Sequence, residues 1–533
     1  MTEQKPRNNT IAGSAAAVGI AVMFSRVLGL VREQVFAALF GAGYTYDAFV
    51  VAFRIPNLLR DLFAEGALSA AFVTVFSAYD TTRSQSDTWR LAANVLTFLL
   101  VLLSILTLVG VYAAGGIVSL LAPDFGLVAG KTELTEKLTR IMLPFLVFIS
   151  MSAVVMGILN TKGKFFIPAL ASSFFNLGSI IGGTSLAFIL PHYGQPAIVG
   201  MAIGTLIGGL LQLAVQLPAL FATGFRYRPV LDLSDPGLRR VLTLMVPATI
   251  GLSATQINIF INTNFAASCV EGSVSWLYYA FRLVQLPIGV FGVALAIAIL
   301  PVLARQAANK EIAEMKETMI SSLTMVFALT LPATAGLILL SQPIIRLIFE
   351  HGAFTAADTL ATGQTLALYA IGLFAFSANK VLVPAFYALD KTRYPVIASF
   401  LAIGINIAII SLTIDRFGHL AIALSTSATM TINFLFLMVL LYRCLNGFAL
   451  LALLKNLAKI LLATAILAAL LSLALPWFTP WLHGSIPKQG LALLLLIGVA
   501  ALCYTLTLHR LRLPELVLLG DKIGGVLRRR RPV

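Results

Sequence analysis

The segment "GYTYDAFVVAFRIPNLLRDLFAEGALSAAF", residues 43–72, decides the fold. It is apolar and long enough to cross a bilayer as a helix, yet it carries Asp47, Arg54, Arg60, Asp61 and Glu65. From Tyr44 to Tyr79 a straight helix would be about 50 Å long, against a hydrocarbon layer of about 30 Å. Such a segment tilts, bends or breaks, and Pro56 and Gly66 are the expected places. On an ideal helix Asp47, Arg54, Asp61 and Glu65 share one stripe, where the acids can offset Arg54, and Arg60 lies off it. Arg60 and Asp47 are therefore stronger functional candidates than Arg54 and Asp61.

The rest of the chain has the same character. Of its 533 residues 59% are hydrophobic and 11% charged, where a soluble globule carries roughly a quarter charged residues. The apolar runs recur at about 20 residues rather than as short alternating strands, so the expected class is an all-α polytopic membrane protein and not an outer-membrane barrel. Cutting at charged, Pro-rich and Gly-rich joints predicts 14 transmembrane helices. They fall near 11–40, 44–78, 90–121, 134–160, 167–190, 196–222, 240–268, 275–304, 318–345, 358–388, 394–414, 419–442, 454–475 and 489–509. The run "IAGSAAAVGIAVMF" continues into "SRVLGLVREQVFAALFG" without a convincing cleavage site and reads as a retained first helix, not a secretory signal.

Charge supports this division. With the N-terminus inside, 25 of the 37 Lys and Arg residues fall in inner segments and 6 in outer loops, which places both termini in the cytoplasm. The net charge of +15 is thus largely topology. The tail "LRRRRPV" lies where anionic headgroups attract it, and no nucleic acid partner is expected. Cys269, Cys444 and Cys503 have no pairing pattern, and no disulfide is expected.

Six basic residues remain inside the spans: Arg26, Arg32, Arg54, Arg60, Arg282 and Lys380. A charge at the bilayer centre costs roughly 2.5–3.5 kcal/mol on the lenient insertion scale, so it normally faces a cavity or a partner. Salt bridging or snorkelling is the preferred reading for Arg54, Asp61 and Lys380, and ligand binding for Arg26, Arg32, Arg60 and Arg282. A surplus of guanidinium groups suits a phosphate, which they match with paired hydrogen bonds. An HExxH, a Cys-His cluster, a GxSxG and a Walker motif are all missing from the sequence, so neither an enzyme nor a nucleotide-driven pump is expected.

An internal repeat supplies the architecture. "DAFVVAFRIPN" at 47–57 aligns with "SWLYYAFRLVQ" at 275–285, and "GILNTKGKFFIPALAS" at 157–172 with "FYALDKTRYPVIAS" at 386–399. An offset of six spans predicts two six-helix lobes related by pseudo-two-fold symmetry, with a substrate site between them. The expected domains are 1–225 (spans 1–6), 226–447 (spans 7–12), two extra lipid-facing helices in 448–512, and a basic cytoplasmic tail at 513–533.

Three segments carry a family resemblance. "SRVLGLVREQVFAALFGAG", "DAFVVAFRIPNLLRDLFAEGALSAAFV" and "GSVSWLYYAFRLVQLPIGVFGVALAIAILP" resemble the signature segments of the MurJ (MviN) family of bacterial lipid II flippases, within the multidrug/oligosaccharidyl-lipid/polysaccharide exporter superfamily. The resemblance spans the whole chain. It implies export of undecaprenyl-pyrophosphate-linked disaccharide-pentapeptide across the bacterial cytoplasmic (inner) membrane by alternating access. It further implies that Arg26, Arg32 and Arg282 contact the pyrophosphate, and that Asp47, Arg60 and Glu65, with Arg54 and Glu33, act in gating or cavity electrostatics. The extra helices resemble those that form a groove for the polyprenyl tail.

The chain departs from the pattern at Phe281, where many members have an acid, and at Glu33, where Asp is common. Some members hold sodium with acids of spans 7 and 11, but 240–268 and 394–414 contain no Asp or Glu, which speaks against sodium coupling. No cofactor is expected, and the membrane potential is the expected drive. The implied partners are lipid II, membrane lipids, and cell-wall synthesis and division proteins. The alternatives are an exporter of another polyprenyl-linked saccharide or of drugs, and a non-transporting cell-wall scaffold.

Overall fold

A computed structural model describes residues 6–61 and 67–513. Among them every regular element is helical. The chain forms two compact units that divide between Ser275 and Trp276, with residues 351–354 returning to the first.

The first unit opens with α1 (Pro6–Phe40), α2 (Tyr44–Arg60), α3 (Ala67–Thr82), α4 (Gln85–Tyr112) and α5 (Ala114–Leu121). It continues with α6 (Lys131–Met142), α7 (Phe145–Thr161), α8 (Phe166–Ile189), α9 (Ile198–Ala214), α10 (Leu217–Phe221) and α11 (Pro236–Ala267). The sequence-based border at 225/226 places α11 with the second half. In the structure α11 packs on α3, α4 and α5, and so belongs to the first unit.

α12 (Ser273–Pro287) crosses from one unit to the next. The second unit then contains α13 (Ala294–Ala308), α14 (Ile312–Leu339), α15 (Ser341–Phe349), α16 (Ala356–Ile371) and α17 (Leu373–Ala388). α18 (Arg393–Phe417), α19 (His419–Cys444), α20 (Leu450–Leu482) and α21 (Ile486–Arg510) complete it.

Each expected span overlaps one or more described helices. By length and composition ten described helices can cross a membrane, or twelve if the bent pairs 236–247/249–267 and 356–371/373–388 each count as one span. α2, with 17 residues, and α3, with 16, are each too short to qualify alone. In the long segment that begins at Tyr44, α2 stays helical across Pro56 and ends at Arg60, and the other expected break, Gly66, lies outside the described residues. Side chains such as Leu412 (85% exposed) and Leu473 (73% exposed) cover the outside, a surface that suits lipid and not water.

Local chemistry sets the helix ends. Ser84 accepts a hydrogen bond from the Asp87 amide, Asp235 one from Leu238 ahead of Pro236 at the first helical position, and Thr355 with Asp358 forms a capping box. Gly41 turns α1 into α2 at φ +64°, where a Cβ would meet the Ala353 carbonyl oxygen at 2.5 Å. The first unit's core is built from Phe72, Phe76, Leu91, Leu103, Val154 and Ile158. The second unit's core joins α14, α17 and α20 through Leu323, Val381, Phe386 and Ile460. In this way the extra helices α20 and α21 are fastened to α14 and to each other.

Candidate functional site

α1 presents its two arginines differently. It is assigned as unbroken helix through Gly29, which packs against Asn176 of α8, and Asn176 Nδ2 donates to the Ser25 carbonyl at 3.0 Å. Arg26 is exposed and makes no hydrogen bond or ion pair with any described residue. Arg32 is buried, and its guanidinium donates to Glu33 Oε1 at 2.5 Å and lies over the rings of Phe175 (5.2 Å) and Phe36 (5.9 Å). The second carboxylate oxygen of Glu33 accepts from Tyr46 at 3.0 Å. Tyr46 starts an aromatic ladder along α2 through Phe49 and Phe53 that continues to Phe145 and Phe175. Arg32 and Glu33 thus form one polar knot within an aromatic wall.

Asp47 is a second knot, 1% exposed. Its Oδ2 accepts from Lys131 Nζ at 3.1 Å and the Gly272 amide at 2.9 Å, and its Oδ1 from the Ser275 amide at 3.0 Å and hydroxyl at 2.6 Å. One carboxylate joins the starts of α2 and α6 and the first turn of α12. Lys131 is 3% exposed, with its ammonium 4.3 Å from the Phe125 ring centroid.

Arg60 donates through Nε and Nη2 to Asp61 Oδ1 at 3.1 and 2.9 Å, and Asp61 Oδ2 accepts from Gln256 of α11 at 3.1 Å. The stripe assigned Asp61 to Arg54 and set Arg60 apart; the carboxylate is instead held by Arg60. The ideal helical phase behind the stripe ends here, because regular α-helix stops at Arg60 and Asp61 has π character. Arg54 is half-buried on α2, and Glu65 lies outside the described residues.

In the second unit Arg282 is half-buried, donates to the Tyr278 hydroxyl at 2.7 Å and stacks over that ring at 4.9 Å. Its neighbour Phe281 packs against Tyr369 and Phe376. Lys380 is exposed on α17.

Sequence reasoning missed Tyr46, Lys131, Gln256 and Tyr278 as partners of the site. Lys131 counted only as an outer-loop charge. Tyr278 was accessible, since it precedes Arg282 by one helical turn. Tyr46 and Gln256 had no local signal, because their partners come from other helices. Among the described residues no cluster of His, Cys, Asp and Glu could hold a metal ion.

Stacked apolar helices that carry cations in their membrane-embedded stretches define a polytopic membrane protein of transporter type. The family described as "Lipid II flippase MurJ" matches residues 36–491. A curated relative from Vibrio cholerae, named "Probable lipid II flippase MurJ", is 37% identical over 502 residues, 92% of this chain and 94% of its own. A solved structure titled "Lipid II flippase MurJ, inward closed conformation" aligns with a TM-score of 0.76 and 28% identity, covering 93% of this chain and 99% of that one. An inward-facing multidrug resistance MATE family transporter of the MOP superfamily shares the fold, with a TM-score of 0.65 at 16% identity over 81% of this chain and 99% of its own. The chain belongs to the MurJ family of lipid II flippases.

Proposed function

We propose that this chain moves lipid II from the inner to the outer leaflet of the bacterial cytoplasmic membrane, using the cations of its spans to hold the pyrophosphate. The observation that carries this reading is Arg26, an exposed guanidinium on an apolar helix with no partner among the described residues. A group so placed needs an anion or water, and phosphate matches its paired donors.

In this reading fourteen spans form two six-helix lobes plus α20 and α21, both termini are cytoplasmic, and the lobes alternate access to a site that Arg26, Arg32 and Arg282 serve. Asp47, Arg60 and Glu65, with Arg54 and Glu33, set the electrostatics and the gating. α20 and α21 border a groove of about 350 Å³ lined by Leu470, Val499, Leu502 and Leu506, with Arg510 among its walls. Its chemistry suits a polyprenyl tail. The membrane potential supplies the drive, and no cofactor takes part.

The test is a flipping assay in sealed vesicles with Arg26, Arg32 and Arg282 each changed to Gln, together with lipid II binding to the purified protein in competition with inorganic pyrophosphate. Loss of both activities in protein that still folds supports the reading. Normal flipping by all three variants would favour a non-transporting scaffold instead.

A further inference from the structure

α17 carries Lys380 eight residues before its end at Ala388, about 12 Å along the axis at 1.5 Å per residue. The ammonium group makes no hydrogen bond, ion pair or ring contact with any described residue, whereas the Arg32 and Arg60 guanidinium groups both hold carboxylates. Phe376, Lys380, Pro384 and Tyr387 are exposed or half-exposed at helical spacing, and Val381, Leu382, Ala385 and Phe386 are buried in the core of the second unit. From Lys380 to Tyr387 the stripe is therefore a surface of α17, and packing is confined to Phe376 at its start.

Two contacts tie this stretch to the helix that bears Arg282. Phe376, one turn before Lys380, meets Phe281 with ring centroids 6.2 Å apart. Gly292 seats on Ser377, where a Cβ would lie 2.9 Å from the serine Cα. Gly292 itself lies in a π-helical turn, Ile288–Val293, that follows the helix of Arg282, an irregularity that recurs at functional sites. A snorkelling lysine normally sits at a helix end, but more than two turns separate Lys380 from the end of α17.

We propose that Lys380 is a second anion station, the ammonium group that meets the diphosphate of the lipid-linked substrate between the inner leaflet and Arg282. The proposal rests on the flippase reading above. With the termini inside, α17 runs toward Lys391 and Arg393 at the cytoplasmic face, so Lys380 lies in the inner half of the membrane. A lysine suits a passing contact, since its hydrated point charge binds phosphate without the fixed fork of a guanidinium.

The experiment uses the full chain in sealed phosphatidylcholine vesicles, with K380Q, K380R and R282Q compared after each is shown to be monodisperse with parental thermal stability. K380Q is expected to slow lipid II flipping about tenfold, the weight of one charge-assisted hydrogen bond, and K380R to restore most of it. K380C, in a background with Cys269, Cys444 and Cys503 replaced by Ala, is expected to react with a membrane-impermeant thiol reagent and to be shielded by lipid II. Normal flipping by K380Q with loss in R282Q overturns the Lys380 station and leaves the flippase reading standing; normal flipping by both overturns that reading as well. A K380C protein that does not react with the reagent assigns the position to lipid and overturns the proposal, as does equal shielding by phosphatidylglycerol without lipid II, which would make it a general headgroup contact.

Discussion

Arg32 and Glu33 are neighbours in sequence and partners in space, so a single substitution at Arg32 tests folding and transport at once. Removing one member of a buried pair typically costs about 3–5 kcal/mol, because the other charge is left uncompensated. R32Q is therefore expected to lower the thermal unfolding midpoint and abolish flipping, and R32Q/E33Q to recover most of the stability while remaining inactive. A double variant that recovers both would make the pair structural only. Asp47 calls for a different comparison, since it satisfies four donors. D47N leaves the Lys131 ammonium without its anion and is expected to cost about 3–5 kcal/mol, partly returned in D47N/K131M, read by denaturation in detergent. The sequence located these arginines and acids because charge in an apolar run is conspicuous. It could not assign their partners: Asp61 went to Arg60 and not to Arg54, a choice made by the end of regular helix at Arg60, which ideal periodicity does not contain.

At the scale of elements, helices were legible because each apolar run is bounded by turn residues or caps, while interruptions and close approaches were not. Pro56 was an expected break and lies in continuous helix, which runs past it to Arg60. The interface of α8 and α9 also escaped notice, although it rests on glycines. A Cβ on Gly204 would lie 2.4 Å from the Gly183 Cα, and one on Gly208 2.4 Å from the Phe175 carbonyl oxygen, so the backbones touch as small-residue membrane interfaces do. G204V is expected to force the helices apart and to cost about 1–3 kcal/mol or more, read as a lowered unfolding midpoint. The strap ahead of α11 provides a second test. Asn94 donates to the Asp232 carbonyl at 2.8 Å and accepts from its amide at 2.9 Å, and Tyr227 pairs with Thr97. N94A is expected to lower hydrogen-exchange protection of the Asp232 amide about tenfold. The Asp232 carboxyl is held below its ordinary value, chiefly by the Ser234 hydroxyl and amide and also by Arg90. A depressed carboxylate stabilises above its unfolded value and loses that contribution as pH falls through the folded one. Protection of the strap is therefore expected to stay level from pH 8 to 5 and to decline only in more acidic solution.

For the whole molecule the decisive quantity is charge moved, because the proposed cargo is an anion and the proposed holders are cations. With the cell interior negative, one uncompensated negative charge carried outward gains about 2.3 kcal/mol per 100 mV, close to 50-fold in the distribution of substrate between leaflets. Cations that move with the diphosphate cancel that gain, and cations that stay in place do not. Arg32, buried with Glu33, belongs to a locally balanced pair, whereas the exposed Arg26 and Lys380 have no described counter-ion. The net charge carried outward thus depends on whether those two stay behind. In vesicles with an imposed potential, inside negative, lipid II flipping outward is expected to accelerate with voltage, and K380Q and R26Q to change the steepness of that dependence as well as the rate. If collapsing the potential with valinomycin and potassium leaves outward flipping unchanged, the drive is not electrical, and the diphosphate crosses with its charge fully balanced by groups that travel with it.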